Sequence, residues 1–349
     1  MSTPLVSICL PNLNHRRFLP ERMESILSQT LQDWELIVCD SYSDDGSWEF
    51  FQTFKGDPRI HLHQVPRDGL YAGWNECLRR CRGRYVYIAT SDDGMRSDAL
   101  EKFVEPLELH PDVHIAVCDY EKVDQENRVL AKSKGPFDEF IASHCRTHCI
   151  RKSHTEFLMH ACAVTIWFSM NSVLFRRTVL DQAGYFRVDQ KSFADVEWTL
   201  RASLTSDVAV IPEKLVSWRK YTGQATPSIM WPDDVRILHQ AVVNVLSDPN
   251  SGIPSAWKEK PGWDKKILRA SRAIYLASYD LYRWSLRKNP RQFFRLFMEA
   301  AAKEPLFLLQ RALTGFTAGA ELNVDTVALV NELIREFGTE WPPKTLWKK

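Results

Sequence analysis

Glycine is scarce in this chain, at 14 of 349 residues, and no two glycines form a G-x-G pattern. That argues against a nucleotidyltransferase, whose α/β fold carries a glycine-rich phosphate loop after the first strand. Long apolar runs are missing too. None of them reaches the roughly 20 residues that cross a bilayer. The start, Met1-Ser2-Thr3-Pro4, leads straight into Leu5-Val6-Ser7-Ile8 without a secretory pattern. A cytoplasmic protein is therefore expected, at most peripheral on the inner face of the membrane. An excess of charge is also lacking: 45 Lys and Arg face 44 Asp and Glu, a net of +1. By charge the whole chain is no nucleic-acid binder, and no nucleic-acid partner is expected. The eight cysteines include no C-x-x-C pair. Cys9, Cys39 and Cys118 sit in apolar runs, as small buried thiols do.

What is present is an alternation of short apolar runs with helical stretches. Leu5–Leu10, Glu35–Asp40, Ile60–Val65, Tyr85–Ala89 and His114–Cys118 read as strands. Between them, Pro20 opens a helix with Met23, Ile26, Leu27 and Leu31 on one face. Leu70–Cys81 reads as a second helix, and Ser97 is placed to cap a third that buries Leu100, Phe103, Val104 and Leu107. Further on come a strand at Ser172–Arg177, a helix ending at Gly184, a helix at Phe193–Leu204 and a strand at Val208–Ile211. From Asp233 the chain reads as helices at 233–247, 264–288, 291–302, 305–313 and 324–337. The pattern predicts an α/β fold, a mostly parallel sheet with helices on both faces, followed by an all-helical C-terminal region. Its expected divisions are 1–118, 119–228 and 229–349.

In such sheets, ligands gather where the strands end at their carboxyl side. Pro11-Asn12-Leu13-Asn14, Asp40 and Asp92-Asp93 would converge on that edge. The step Ser91-Asp92-Asp93 follows directly on an apolar strand. Adjacent bare carboxylates repel. A divalent cation carrying a diphosphate would relieve that repulsion, which points to a metal-dependent enzyme acting on a nucleoside diphosphate compound.

Read in order, these segments resemble a known family. Val6-Ser7-Ile8-Cys9-Leu10-Pro11-Asn12-Leu13-Asn14 is similar to the opening strand and loop of family-2 glycosyltransferases, inverting enzymes of bacterial polysaccharide type with the GT-A fold. Ser25–Thr30, Trp34–Asp40, Ser43-Asp44-Asp45-Gly46-Ser47, Asp68–Asn75, Gly83-Arg84-Tyr85, Ser91-Asp92-Asp93 and Phe193–Trp198 keep that family's order and spacing. The resemblance covers about residues 4–228. Two positions depart from it. Leu13 stands where an aromatic is frequent, and Ala194 replaces the usual glutamate before the catalytic aspartate.

The resemblance implies a transferase moving sugar from a nucleotide donor, a UDP-sugar in the first instance, to a hydroxyl of a saccharide or lipid-linked saccharide. It implies Asp195 as the general base. Asp93 and Asp92 would hold Mn²⁺ or Mg²⁺, with Asp92 also at the ribose. Pro11, Asn12, Asn14, Asp40 and Asp68 would line the nucleotide, with Asp40 accepting the uracil imide N–H. Arg219 and Gln224 match a later motif, Arg-x-His-x-Gly-Gln-x-Ser, in which Tyr221 and Thr226 replace the His and Ser. Arg219 would steady the diphosphate. Asp44 and Asp45 read as turn residues, and Arg201 as a brace of its helix. The competing reading is a non-catalytic sugar-binding or scaffold protein derived from the same fold.

Two segments stand apart. His144, Cys145, His148, Cys149, His154, His160 and Cys162 crowd residues 144–162. Without paired C-x-x-C knuckles they read as a loop bordering the acceptor rather than a zinc site. Residues 257–311 carry 13 Lys and Arg against 5 Asp and Glu, interleaved with aromatics. That pattern reads as helical packing with a basic face, able to touch an anionic membrane.

Overall fold

The computed structural model describes residues 3–131, 136–145, 147–163, 166–167, 169–224, 232–278, 290–306 and 326–345. Its frame is one sheet. In chain order the strands are β1 (Val6–Asn12), β2 (Trp34–Asp40), β3 (Ile60–Gln64), β4 (Tyr85–Ile88), β5 (Gly94–Met95), β6 (Val113–Val123), β7 (Cys149–Arg151), β8 (Val173–Arg176), β9 (Asp207–Arg219) and β10 (Lys344–Thr345). They lie in the order β10-β7-β9-β6-β8-β4-β1-β2-β3, and β5 pairs with β9. The first half, β3-β2-β1-β4, is parallel throughout. Then β8 runs antiparallel between β4 and β6, so the second half is mixed. The long β6 and β9 again pair in parallel.

Alternation along β1 divides the core in two. Val6, Ile8 and Leu10 face one side, with the Leu19–Leu27, Ser47–Gln52 and Ala99–Leu109 helices. Cys9 faces the other, with the Leu70–Leu78, Ser153–Ala163 and Ala194–Ser203 helices. Burial at i, i+3, i+4 and i+7 seats the Ala99–Leu109 helix through Leu100, Phe103, Val104 and Leu107. Asp98, one residue after Ser97, holds the cap position of this helix, without a side-chain cap bond. Gly83 lies so close to β1 that a Cβ there would be 2.5 Å from the Ser7 amide nitrogen, a distance no side chain tolerates.

The Cys/His-rich stretch is not a loop. It holds β7 and the Ser153–Ala163 helix. Phe157, Leu158, Met159, Ala161 and Cys162 of that helix are buried, and so is His160. A helix apolar around most of its girth belongs in an interior. Its histidines read as packing groups: His160 packs edge-on against Trp167, and its Nδ1 accepts the Ile166 amide at 3.2 Å.

The C-terminal helices cover this same face. Ala241, Val242 and Val245 of Pro232–Ser247, Ile267 and Ala270 of Trp263–Ser278, and Val330, Leu333, Ile334 and Phe337 of Thr326–Phe337 join one apolar cluster with Phe157 and Trp198. The Pro290–Lys303 helix leaves Phe294 and Met298 exposed. The expected helix at 305–313 and the end of the one at 264–288 fall largely outside the described residues. Among the described residues, no helix is long and apolar enough to cross a membrane.

Candidate active site

The carboxyl ends of β1 and β2 finish in register, Asn12 beside Asp40. Asp40 is fully buried and its oxygens are taken up locally. Oδ1 accepts from Asn12 Nδ2 at 2.8 Å and from Ser43 Oγ at 2.6 Å, and Oδ2 accepts the Ser43 amide at 2.9 Å. Asn14 then binds Ser43 and Asp44. The two loops are thus knotted together. Asn14 and Tyr42 both adopt the left-handed conformation, at φ 55° and 50°. For tyrosine that is a strained backbone of the kind found at functional sites. Leu13 and Tyr42 project into solvent from the knot. Asp44 and Asp45 are turn groups here, Asp45 holding the Ser47 amide and hydroxyl.

Past β4, the Ser91-Asp92-Asp93 step reaches the same edge. Asp93 turns inward, only 4% exposed. It accepts from Thr90 Oγ1 at 2.5 Å, Asn171 Nδ2 at 3.0 Å and the Arg219 amide at 2.8 Å. Burial, and then the charge of Asp92, pushes its carboxyl up to about 7. Asp92 is half-buried and accepts the Tyr221 hydroxyl at 2.9 Å. Tyr221 also lies 3.3 Å from His15 Nε2, while His15 Nδ1 meets Ser91 Oγ at 2.5 Å. Burial lowers the His15 pKa, which favours the neutral ring.

Arg219 does not reach for a ligand. It is 1% exposed, and every nitrogen of its guanidinium is engaged. Nε donates to the Asp92 carbonyl at 2.8 Å, Nη1 to the carbonyls of Asp124 and Gln125, and Nη2 to Glu21 at 2.8 Å. These bonds clamp the aspartate step. The alternation of β9 places this side chain inward, which the motif alone does not reveal.

Asp195 opens the Ala194–Ser203 helix, where the N-terminal dipole favours a carboxylate. It is half-buried, and burial pushes its pKa upward against the Tyr71 hydroxyl, which is hydrogen-bonded to the carboxylate. Tyr71 comes from the second residue of the Leu70–Leu78 helix. That helix starts after Gly69, whose φ of 103° only glycine adopts at ease. Tyr71, Trp74, Phe186 and Trp198 form a continuous aromatic stack. Asn75 fixes Phe186 by donating to its carbonyl at 2.8 Å and accepting its amide at 3.0 Å. The opposite end of the helix is braced as expected. Arg201 binds buried Glu197 through two nitrogens, at 2.8 and 2.7 Å.

The fold therefore brings together Pro11, Asn12, Asn14 and Asp40 on one lip, and Asp92 and Asp93 on the next. Asp195 is tied through Tyr71 to the helix that follows Asp68, an exposed residue. Gln224 closes the described stretch 169–224. His15, Arg17, Tyr71, Asn171 and Tyr221 also belong to the site. Sequence reasoning assigned none of them a role, although Tyr71 and Tyr221 lie in motifs and His15-Arg16-Arg17 directly after the Pro11–Asn14 loop was a visible signal.

The donor set at Asp92-Asp93 fits a hard divalent cation. Two adjacent carboxylates, one of them buried beside the other's charge, gain from a positive charge between them. Among the described residues, no group of three or more His, Cys, Asp or Glu is placed to hold a metal. Such an ion would draw its further ligands from water and phosphate.

Residues 7–173 match the model of the glycosyl transferase family 2. Through this segment, just under half of the chain, it has the sequence pattern of that family. A putative teichuronic acid biosynthesis glycosyltransferase, TuaG of Bacillus subtilis, is 38% identical over 140 residues, which are 40% of this chain and 52% of that protein. The matched part thus spans about half the length of that relative. Among solved structures, TarS 1–349 of S. aureus in complex with UDP-GlcNAc superposes with a TM-score of 0.62 at 17% identity, covering 97% of this chain and 93% of that one. The mannosyltransferase PcManGT of Pyrobaculum calidifontis, in complex with GDP-Man and Mn²⁺, gives 0.53 at 20% identity, covering 96% and 87%. The fold of this chain is thus the expected GT-A type of α/β fold, with a helical region following it.

Proposed function

We propose that this chain transfers a sugar from a nucleoside diphosphate donor, a UDP-sugar by preference, to a hydroxyl of a saccharide or lipid-linked saccharide. The observation that carries the reading is the pair of carboxylate sites, Asp92-Asp93 past the end of β4 and Asp195 in the first turn of the Ala194–Ser203 helix, held by Tyr71. The first suits a leaving group, the second a base. A carboxyl with a raised pKa takes a proton more readily near neutral pH than an ordinary one.

Asp195 would accept the proton of the acceptor hydroxyl while that oxygen attacks the anomeric carbon. The bond to the diphosphate oxygen breaks on the opposite face, so the anomeric configuration inverts. Asp92 and Asp93 would hold a divalent cation, Mn²⁺ or Mg²⁺. When bound, the ion supplies positive charge for the departing diphosphate. Leu13 and Tyr42 offer apolar surface for a base beside the Asn12–Asp40 knot. Buried Asp40 shapes that knot through three hydrogen bonds. The basic residues of 257–311 would rest against an anionic membrane, bringing the enzyme to a lipid-linked acceptor.

A panel of nucleotide sugars incubated with Mn²⁺ tests the reading. Release of free nucleoside diphosphate from one donor, lost in Asp93→Ala, is the expected result. If every donor stays intact and calorimetry detects no nucleotide binding, the chain is a non-catalytic member of the fold.

A further inference from the structure

A donor diphosphate brought beside two aspartates needs more positive charge than one ion supplies. Arg219, the cation named by the motif, is buried and engages every guanidinium nitrogen within the protein. Its neighbour at the site is different. Arg17 is exposed, and among the described residues its guanidinium forms no hydrogen bond or ion pair. It is nevertheless held in place. Its guanidinium carbon lies 4.3 Å from the centre of the Phe18 ring and 4.8 Å from that of Tyr221. Those rings are themselves 4.9 Å apart. Tyr221 in turn donates its hydroxyl to Asp92.

We propose that Arg17, rather than Arg219, binds the diphosphate of the donor beside Asp92, an assignment that rests on the nucleotide-sugar reading above. A guanidinium stacked on aromatic rings is oriented by them and keeps its N–H edge open. That edge matches two phosphate oxygens at once. Because the platform fixes the side chain beforehand, little freedom is lost on binding. The platform also couples the two partners of the leaving group. Tyr221 touches Asp92 with its hydroxyl and Arg17 with its ring. The family's histidine at this position, with its smaller ring, would give a narrower platform. Arg16, one residue earlier, stacks instead on Phe50 of the Ser47–Gln52 helix, at 4.4 Å. It provides a matched control for loss of one positive charge.

Calorimetric titration of UDP and of uridine, with Mn²⁺ present, into wild type, Arg17→Ala, Arg17→Lys and Arg16→Ala tests the assignment. Arg17→Ala should weaken UDP by roughly ten- to a hundredfold, as loss of a charge-assisted bond does, and leave uridine unchanged. Arg17→Lys should recover part of the loss. Arg16→Ala should change UDP affinity less than about twofold, as a charge that makes no contact with the ligand does. The melting temperature of Arg17→Ala should match wild type, since the side chain is exposed and unbonded. Equal UDP affinity in Arg17→Ala and wild type overturns the assignment. So does an equal loss in both alanine variants, which would be a diffuse charge effect. A wild type that binds neither UDP nor GDP overturns the nucleotide reading, and this one with it.

Discussion

Tyr71 and Asp195 are separated by more than a hundred residues in sequence, and a hydrogen bond joins the Tyr71 hydroxyl to the Asp195 carboxylate. Its direction has a measurable consequence. The tyrosine hydroxyl donates to the ionised carboxylate, so it holds the pKa down against burial. Removing it in Tyr71→Phe should raise the pKa of Asp195 further. If Asp195 is the base, the acid limb of kcat/KM then moves to higher pH, and activity at pH 6 falls more than at pH 8. A pH profile of both enzymes checks this. A limb that stays in place or moves down contradicts the role. At this scale the sequence was legible for aspartates and less so for their partners. Asp92, Asp93 and Asp195 stand in ordered motifs. Tyr71 also lies in a motif, but only the three-dimensional contact shows what it bonds. The contacts of Arg219 were not legible, because a motif carries no information on which way a side chain turns. Its burial under Glu21, Asp124 and Gln125 depends on three distant loops and helices.

Most strands and helices were visible in the sequence, because buried parallel strands read as short apolar runs bounded by turns. Their observed limits differ from the reading by a few residues, as at Val6–Asn12 against Leu5–Leu10. The Ser153–Ala163 helix was not visible. Its three histidine and cysteine residues, and apolar side chains on most of its girth, mask the helical period that exposed helices show. The Pro290–Lys303 helix is the opposite case, with an apolar and a basic side. Phe294 and Met298, four residues apart, are 63% and 50% exposed, and Arg291 and Arg295 are exposed as well. If this element meets a membrane, the double change Arg291→Gln and Arg295→Gln should weaken binding to phosphatidylserine vesicles by roughly thirtyfold. That follows from about 1 kcal/mol for each basic residue near an anionic surface. Cosedimentation measures it. Equal binding of both proteins, or equal binding of wild type to neutral vesicles, contradicts membrane contact by this helix.

Over the whole molecule, the sheet is what makes a site from scattered residues. Its parallel half carries Asn12, Asp40 and the aspartate step to one edge, as parallel strands generally do. Its mixed half, entered through β8, carries Asn171 and the Arg219 amide to Asp93. The aromatic stack from Tyr71 to Trp198 then spans the two halves and sets Asp195 against the donor-side helix. The C-terminal helices bury their apolar faces in the same cluster as Trp198, so they support the helix that bears Asp195. None of these long-range joins can be read from local patterns, since each depends on the order of strands in the sheet. The central claim is that this assembly divides the work, with Asp92 and Asp93 serving the donor and Asp195 serving the bond being made. Comparing Asp195→Asn with wild type in donor binding and in single-turnover sugar transfer tests it most directly. The account predicts that Asp195→Asn binds the nucleotide sugar within about threefold of wild type, while transfer falls by roughly a hundredfold or more, the scale of a lost general base. Transfer at the wild-type rate, or loss of donor binding in step with loss of transfer, would contradict it.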